Sequence, residues 1–186
     1  FDPHFCCLFD DHDKLLDKNQ WVNRRQDAEA VWYFLNNHKI TSMPLSFIGG
    51  VSGPGGFSCL RAASGILNTI SLAQKIPLHS IRADFWIEKF LTGSGFDSSS
   101  FLLNSFGESV FIKNGTDLER KSLKEAALLL QKKDVFMGLL PPEKQSFFSQ
   151  TIPVSMENIE TDLLQVLKKT SPQKLFVPDY EFPAVA

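Results

Sequence analysis

Between residues 45 and 75 three kinds of sequence follow one another, and their order restricts the fold more than any other part of the chain. Leu45 to Val51 is apolar enough to be a strand covered on both faces. Gly53-Pro54-Gly55-Gly56 interrupts it, and Phe57 to Lys75 then reads as a long helix that Pro77 stops. A glycine turn between a buried strand and a helix aims backbone N–H groups at one point, at the positive end of the helix dipole, which suits a phosphate. The specific phosphate fingerprints are incomplete. No Gly-Lys-Ser/Thr follows, and the dinucleotide pattern breaks at Ser58, where its third glycine belongs. A phosphate cradle and a tight structural turn are both compatible with this spacing. On the structural reading, Gly53 and Gly55 are both expected to be required by backbone geometry.

The flanking sequence makes the pattern α/β. Phe5 to Phe9 and Lys14 to Val22 read as a hairpin around Asp10-Asp11-His12-Asp13, which are turn carboxylates. Asn23 and Gln26 resemble a capping box opening a helix that runs to His38. Leu78 to Ile81 is a further short strand. Small polar residues from Gly93 to Ser100 mark the expected boundary between an N-terminal lobe, 1–93, and a C-terminal lobe, 101–186. The last helix and tail are able to pack back on the first lobe. In the second lobe Phe101 to Asn104 and Ser109 to Lys113 read as strands, and Ser122-Leu123-Lys124-Glu125 as a capping box. Val135 to Leu140 is another strand. Ser155 caps a last helix carrying Ile159, Leu163, Val166 and Leu167, and Leu175 to Val177 closes the pattern.

Two helices carry stripes that bear on function. In the first, Ala28, Val31, Trp32 and Leu35 recur at helical spacing, with Ala30, Tyr33 and Phe34 beside them, a wider apolar face than one core contact requires. In the second, Leu60, Ala63, Ser64, Leu67 and Ser71 share one face with small residues that allow close helix approach. Both stripes are expected to form an association surface.

Composition excludes several other classes. The 186 residues carry a net charge of −2 with no basic run longer than a doublet, which disfavours unaided nucleic-acid binding. Three cysteines, Cys6 and Cys7 adjacent, do not make a disulfide framework, and a reducing, cytoplasmic setting fits. No apolar run reaches the roughly 20 residues that cross a bilayer. The four histidines stand apart in sequence and no Cys-x-x-Cys occurs, so no metal site is expected. No Gly-x-Ser-x-Gly elbow is present, and no catalytic residue is assigned.

Gly53-Pro54-Gly55-Gly56-Phe57-Ser58-Cys59-Leu60-Arg61 resembles the G-P-G-S-F-T-G-L-R element of the TsaB (YeaZ) family. Ala63 to Ala73 with Ile76-Pro77-Leu78 is similar to that family's long helix and following strand. Asn104 to Phe111 looks like its D-A-R-x-G-E-V-Y turn, and Pro178 and Tyr180 like its ending. The resemblance covers essentially the whole chain in order and implies a two-lobed, actin-like (ASKHA, ribonuclease H-like) α/β fold. The family's first strand, ending in an I-D-T-S type motif, is absent here.

The resemblance further implies a non-catalytic scaffold in the synthesis of threonylcarbamoyladenosine at position 37 of tRNA. Its partners would be a TsaD-like catalytic subunit and a TsaE-like ATPase, with a homodimer in isolation and tRNA met only through the complex. No cofactor would be bound by the chain alone, ATP and Mg²⁺ belonging to the assembled complex. Gly53, Pro54, Gly55, Phe57 and Arg61 are the family-motif residues of the loop. Two alternatives stand beside this reading: an ASKHA-type nucleotide-binding or metallopeptidase-like (M22) enzyme, and a homodimer with no role in tRNA modification.

Overall fold

The computed structural model describes residues 4–21, 27–95, 100–105, 107–130, 136–149, 151–153 and 158–180. In chain order the elements are β1 (His4–Phe9), β2 (Leu15–Trp21), α1 (Asp27–Asn37), β3 (Ile48–Gly53), α2 (Phe57–Gln74), β4 (Leu78–Arg82) and α3 (Ala83–Gly93). There follow β5 (Ser100–Asn104), β6 (Ser109–Asn114), β7 (Asp117–Ser122), α4 (Leu123–Leu130), β8 (Phe136–Leu139), α5 (Pro142–Gln145), β9 (Thr151–Pro153) and α6 (Ile159–Lys168). Pro3–Trp86 and Asn158–Ala186 make one compact unit; Ile87–Glu157, with Phe1–Asp2, makes the other. The division falls inside α3, between Trp86 and Ile87, ahead of the boundary expected at 93–100.

In the first unit, β1 and β2 are antiparallel around a turn closed by Asp10, whose Oδ1 accepts the N–H groups of His12 at 2.9 Å and Lys14 at 2.8 Å. β3 and β4 run parallel, with α2 as the crossover. That helix ends at Lys75 in the left-handed region, φ 55°, with its N–H on the Ser71 carbonyl, two residues before Pro77. Cys6 and Leu8 of β1, Phe34 and Leu35 of α1, Ile48 of β3, and Ile66 and Ile70 of α2 share one apolar core. α6 lies on the opposite face of the strands. Lys18 of β2 pairs with its Glu160 at 3.3 Å, and a Cβ added at Gly49 of β3 would sit 3.2 Å from its Leu167. Both strand pairs thus lie between α1 and α2 on one side and α6 on the other. Among the described residues no ladder joins β1 to β3, so the pairs remain two separate two-stranded sheets.

Leu175 to Val177, which closes the apolar pattern, is in neither helix nor strand. Side chains of α2, not a ladder, hold that segment: Asn68 Oδ1 accepts the Phe176 N–H at 2.7 Å. The Phe176 carbonyl in turn accepts from Asn68 Nδ2 and Ser64 Oγ, both at 3.1 Å. A single bridge, Gln173 to Leu78, is the only strand-like pairing of the tail among the described residues.

The second unit is a five-stranded sheet in the order β7-β6-β5-β8-β9, antiparallel from β7 to β5 and parallel from β5 to β9. Leu102, Val110 and Ile112 pack on Leu123, Ala126 and Leu130 of α4. Ser122 and Glu125 make the expected capping box, the Glu125 N–H donating to Ser122 Oγ at 3.2 Å and the Ser122 N–H to Glu125 Oε2 at 3.0 Å. The buried Lys144 ammonium is fully partnered, donating to Asn104 Oδ1 and to the carbonyls of Ser105 and Ser109 at 2.7–2.9 Å. The proposed caps at Asn23–Gln26 and at Ser155 lie outside the described residues.

Candidate functional site at the glycine–proline turn

The turn after β3 is built by backbone conformation and by the tail. Gly53 has φ 138°, a region that side chains rarely enter, and the Gly53–Pro54 peptide is cis. A Cβ on Gly53 would stand 2.6 Å from the Asp179 carbonyl oxygen, so no side chain fits. The Asp179 N–H donates to the Ser52 carbonyl at 2.8 Å, and the Phe57 ring lies 5.0 Å from that of Tyr180. Residues 178–180 therefore seat against the turn. Gly55 differs from expectation: a Cβ there would meet Leu60 at an ordinary 3.5 Å, and its φ is not positive. Geometry demands glycine at Gly53 and not at Gly55.

Behind the turn, at the end of β4, Arg82 bridges two carboxylates. Its Nε donates to Asp84 Oδ1 at 2.9 Å and its Nη1 to Asp179 Oδ2 at 2.8 Å, while the guanidinium lies 5.5 Å from the Phe85 ring centroid. Asp84 is only 1% exposed, a burial that its pairing makes tolerable. Both partners of Arg82 are carboxylates, so its guanidinium is already engaged beside the turn. Arg61, in the second turn of α2, is exposed, and Gly56 caps the helix without a side-chain hydrogen bond.

The two helical stripes face differently from each other. On α1, Ala28 and Trp32 are exposed, Val31 is half-buried, and Leu35 joins the core beside Phe34. Tyr33, from the neighbouring set, is also outward: Trp32 and Tyr33 are 64% and 65% exposed. The α2 stripe points inward instead. Leu60 is 6% exposed, a Cβ at Gly50 would press on Leu67 at 2.9 Å, and Ser64 and Ser71 spend their hydroxyls on the Phe176 and Ile76 carbonyls. Ala63 is half-buried on the same face. The small residues of that stripe bring α2 close to its own strand and tail, so the solvent side of the helix is Ser58, Arg61, Gly65, Thr69 and Leu72. Periodicity gives a stripe's spacing but not its direction, and the hydroxyl acceptors could not be foreseen.

Cys6, Cys7 and Cys59 form no disulfide with one another. Burial pushes the thiols of Cys6 and Cys7 up to about 12, so neither is a reactive thiolate at neutral pH. No described helix is long and apolar enough to cross a membrane.

The chain has the actin-like (ASKHA) α/β fold, which its two units of mixed sheet and helix share with solved structures of that class. Over 95% of its length it superposes on YeaZ from Pseudomonas aeruginosa, covering 93% of that chain with a TM-score of 0.62 at 13% sequence identity. A second structure, described as an uncharacterized protein with similarity to peptidase YEAZ from Pseudomonas aeruginosa, matches with a TM-score of 0.54 at 12% identity. That match covers 89% of this chain and 91% of the other. No protein-family model matches the sequence, and no curated protein does.

Proposed function

We propose that the chain is a non-catalytic scaffold of the TsaB type, acting in the cytoplasm. It would hold a TsaD-like catalytic subunit, assisted by a TsaE-like ATPase, in threonylcarbamoyladenosine modification of tRNA. The near full-length likeness to YeaZ supports the reading. The observation that carries it is the adjacent pair Trp32 and Tyr33, nearly two-thirds exposed on α1. Large aromatic residues of this kind anchor interface cores.

The association surface is accordingly the outward face of α1, with Ala28, Trp32 and Tyr33, and not the inward stripe of α2. Native mass spectrometry of the chain, alone and with a TsaD-like subunit, tests this. Trp32→Glu and Tyr33→Glu should each leave the melting temperature nearly unchanged and abolish the complex. If both variants bind like the parent, the interface is elsewhere. A homodimer that forms while no complex with the catalytic subunit appears would favour the structural homodimer instead.

A further inference from the structure

We propose that His4, Asp27 and Cys59 form a binding site for a divalent cation of the zinc class. The three residues come from β1, from the first position of α1 and from the first turn of α2, far apart in sequence. Their ligand atoms, a ring nitrogen, a carboxylate oxygen and a sulfur, all lie within 4.8 Å of one another. Cys59 Sγ is 3.7 Å from His4 Nδ1, and Asp27 Oδ1 is 2.6 Å from the same nitrogen. Tetrahedral zinc with N and O ligands at about 2.0–2.1 Å and S at about 2.3 Å sets neighbouring ligand atoms about 3.3–3.6 Å apart. The sulfur–nitrogen pair already stands near that spacing. The nitrogen–oxygen pair is a hydrogen bond, and it would open by about 0.7 Å once a metal replaced the proton between them.

Among the described contacts the geometry does not suit a cysteine nucleophile with its base oriented by Asp27. Such a relay needs the two imidazole nitrogens to serve different partners, one facing the thiol and the other the carboxylate. Here Nδ1 faces both. A mixed N, O and S donor set converging on one point is instead suited to zinc, and the thiolate disfavours magnesium or calcium. The surroundings also orient the ligands. Trp21 Nε1 donates to Asp27 Oδ1 at 2.6 Å, and the Trp21 and His4 rings meet edge to face at 6.1 Å. Asp27 is 7% exposed, and a carboxylate buried that deeply gains from a cation. On binding, the Cys59 thiol releases its proton to solvent and the imidazole shifts its remaining proton to Nε2, leaving Nδ1 to coordinate. With three ligands among the described residues, a water would take the fourth position.

The reading is independent of the scaffold role, and cobalt(II) is the probe that tests it. Titrating the metal-free full chain with Co²⁺ should produce one equivalent of binding with a sulfur-to-cobalt charge-transfer absorption, which Zn²⁺ then abolishes. Cys59→Ser should lose the band, while a Cys6→Ser/Cys7→Ser double variant should keep it. Trp21→Phe, which leaves all three ligands in place, should weaken binding about 10-fold. Circular dichroism checks that each variant is folded, and the parent titration stands without them. No charge-transfer band from the folded parent overturns the proposal. So does a band that survives Cys59→Ser and disappears with Cys6 and Cys7.

Discussion

Gly53 and Gly55 lie two positions apart, and their identical chemistry hides opposite requirements. At Gly53 a new methyl group would meet a backbone oxygen at 2.6 Å in a chain already at φ 138°. The Asp179 N–H is itself tied to the Ser52 carbonyl at 2.8 Å, which holds that oxygen's residue against the turn. Gly53→Ala is therefore expected to cost about 1–3 kcal/mol of stability. Gly55→Ala places its methyl at van der Waals distance from Leu60 and should change stability by no more than about 0.5 kcal/mol. Urea unfolding of the two variants beside the parent measures the contrast, and equal losses would show that the turn is built differently. Asn68 is the other residue on which much converges, since its amide satisfies both backbone groups of the buried Phe176. Asn68→Ala leaves the Phe176 N–H without that acceptor and should cost about 1–3 kcal/mol. Limited proteolysis should then cut at 174–180 faster than in the parent; unchanged cleavage there would mean the tail is held by other contacts.

The legible elements were those whose signal is local. The hairpin of β1 and β2, the strand and helix flanking the glycine turn, β4, and the capping box of α4 follow from alternation, helical spacing and turn chemistry within a few residues. Four elements escaped, among them the four-residue α5, too short for any periodicity to show. α3 begins directly from β4 with no intervening turn, so Ala83 to Gly93 offered no start signal to read. β7, Asp117–Ser122, has four charged residues and a single leucine and is recognisable only through its ladder with β6. β9 is three residues long. At the candidate site the turn was visible, but its meaning was not. Asp179 and Tyr180 reach it from the far end of the chain, and Cys59 meets His4 across 55 positions. Contacts of that range leave no mark on spacing. The direction of the α2 stripe failed similarly, because Leu67 lies over Gly50 and Ser64 finds its acceptor at Phe176, which only the fold brings near.

At the scale of the molecule, titrating groups bound the pH range over which the chain is stable, and the alkaline limit belongs to the first unit. The acid side is set by carboxylates whose ionised forms are partnered. Lys168 holds Asp13 below the usual carboxylate range, His38 does so for Asp17, and hydrogen bonds from Ser122 for Glu125. Their folded-state values are depressed, so their contribution is present above the ordinary carboxylate range and is lost as pH falls through it. All three are exposed, which makes this limb shallow. The alkaline side rests on Cys6 and Cys7, raised by burial from 9.0 to about 12 on a strand between two helical layers. The folded chain keeps thiol protons that the unfolded chain releases, so stability is level below about pH 9 and falls as pH rises toward 12. The ion pair of Lys121 with Glu119 also weakens on this side, but it sits at the surface of the second unit. A variant separates the two contributions. Urea midpoints of the parent should hold steady up to about pH 9 and decline above it. Cys6→Ala/Cys7→Ala should start lower, since it leaves space in the core, and decline much less steeply. A parent midpoint that stays level through about pH 10.5, or a variant with the parent's slope, would show that the two thiols are not what limits the fold in alkali.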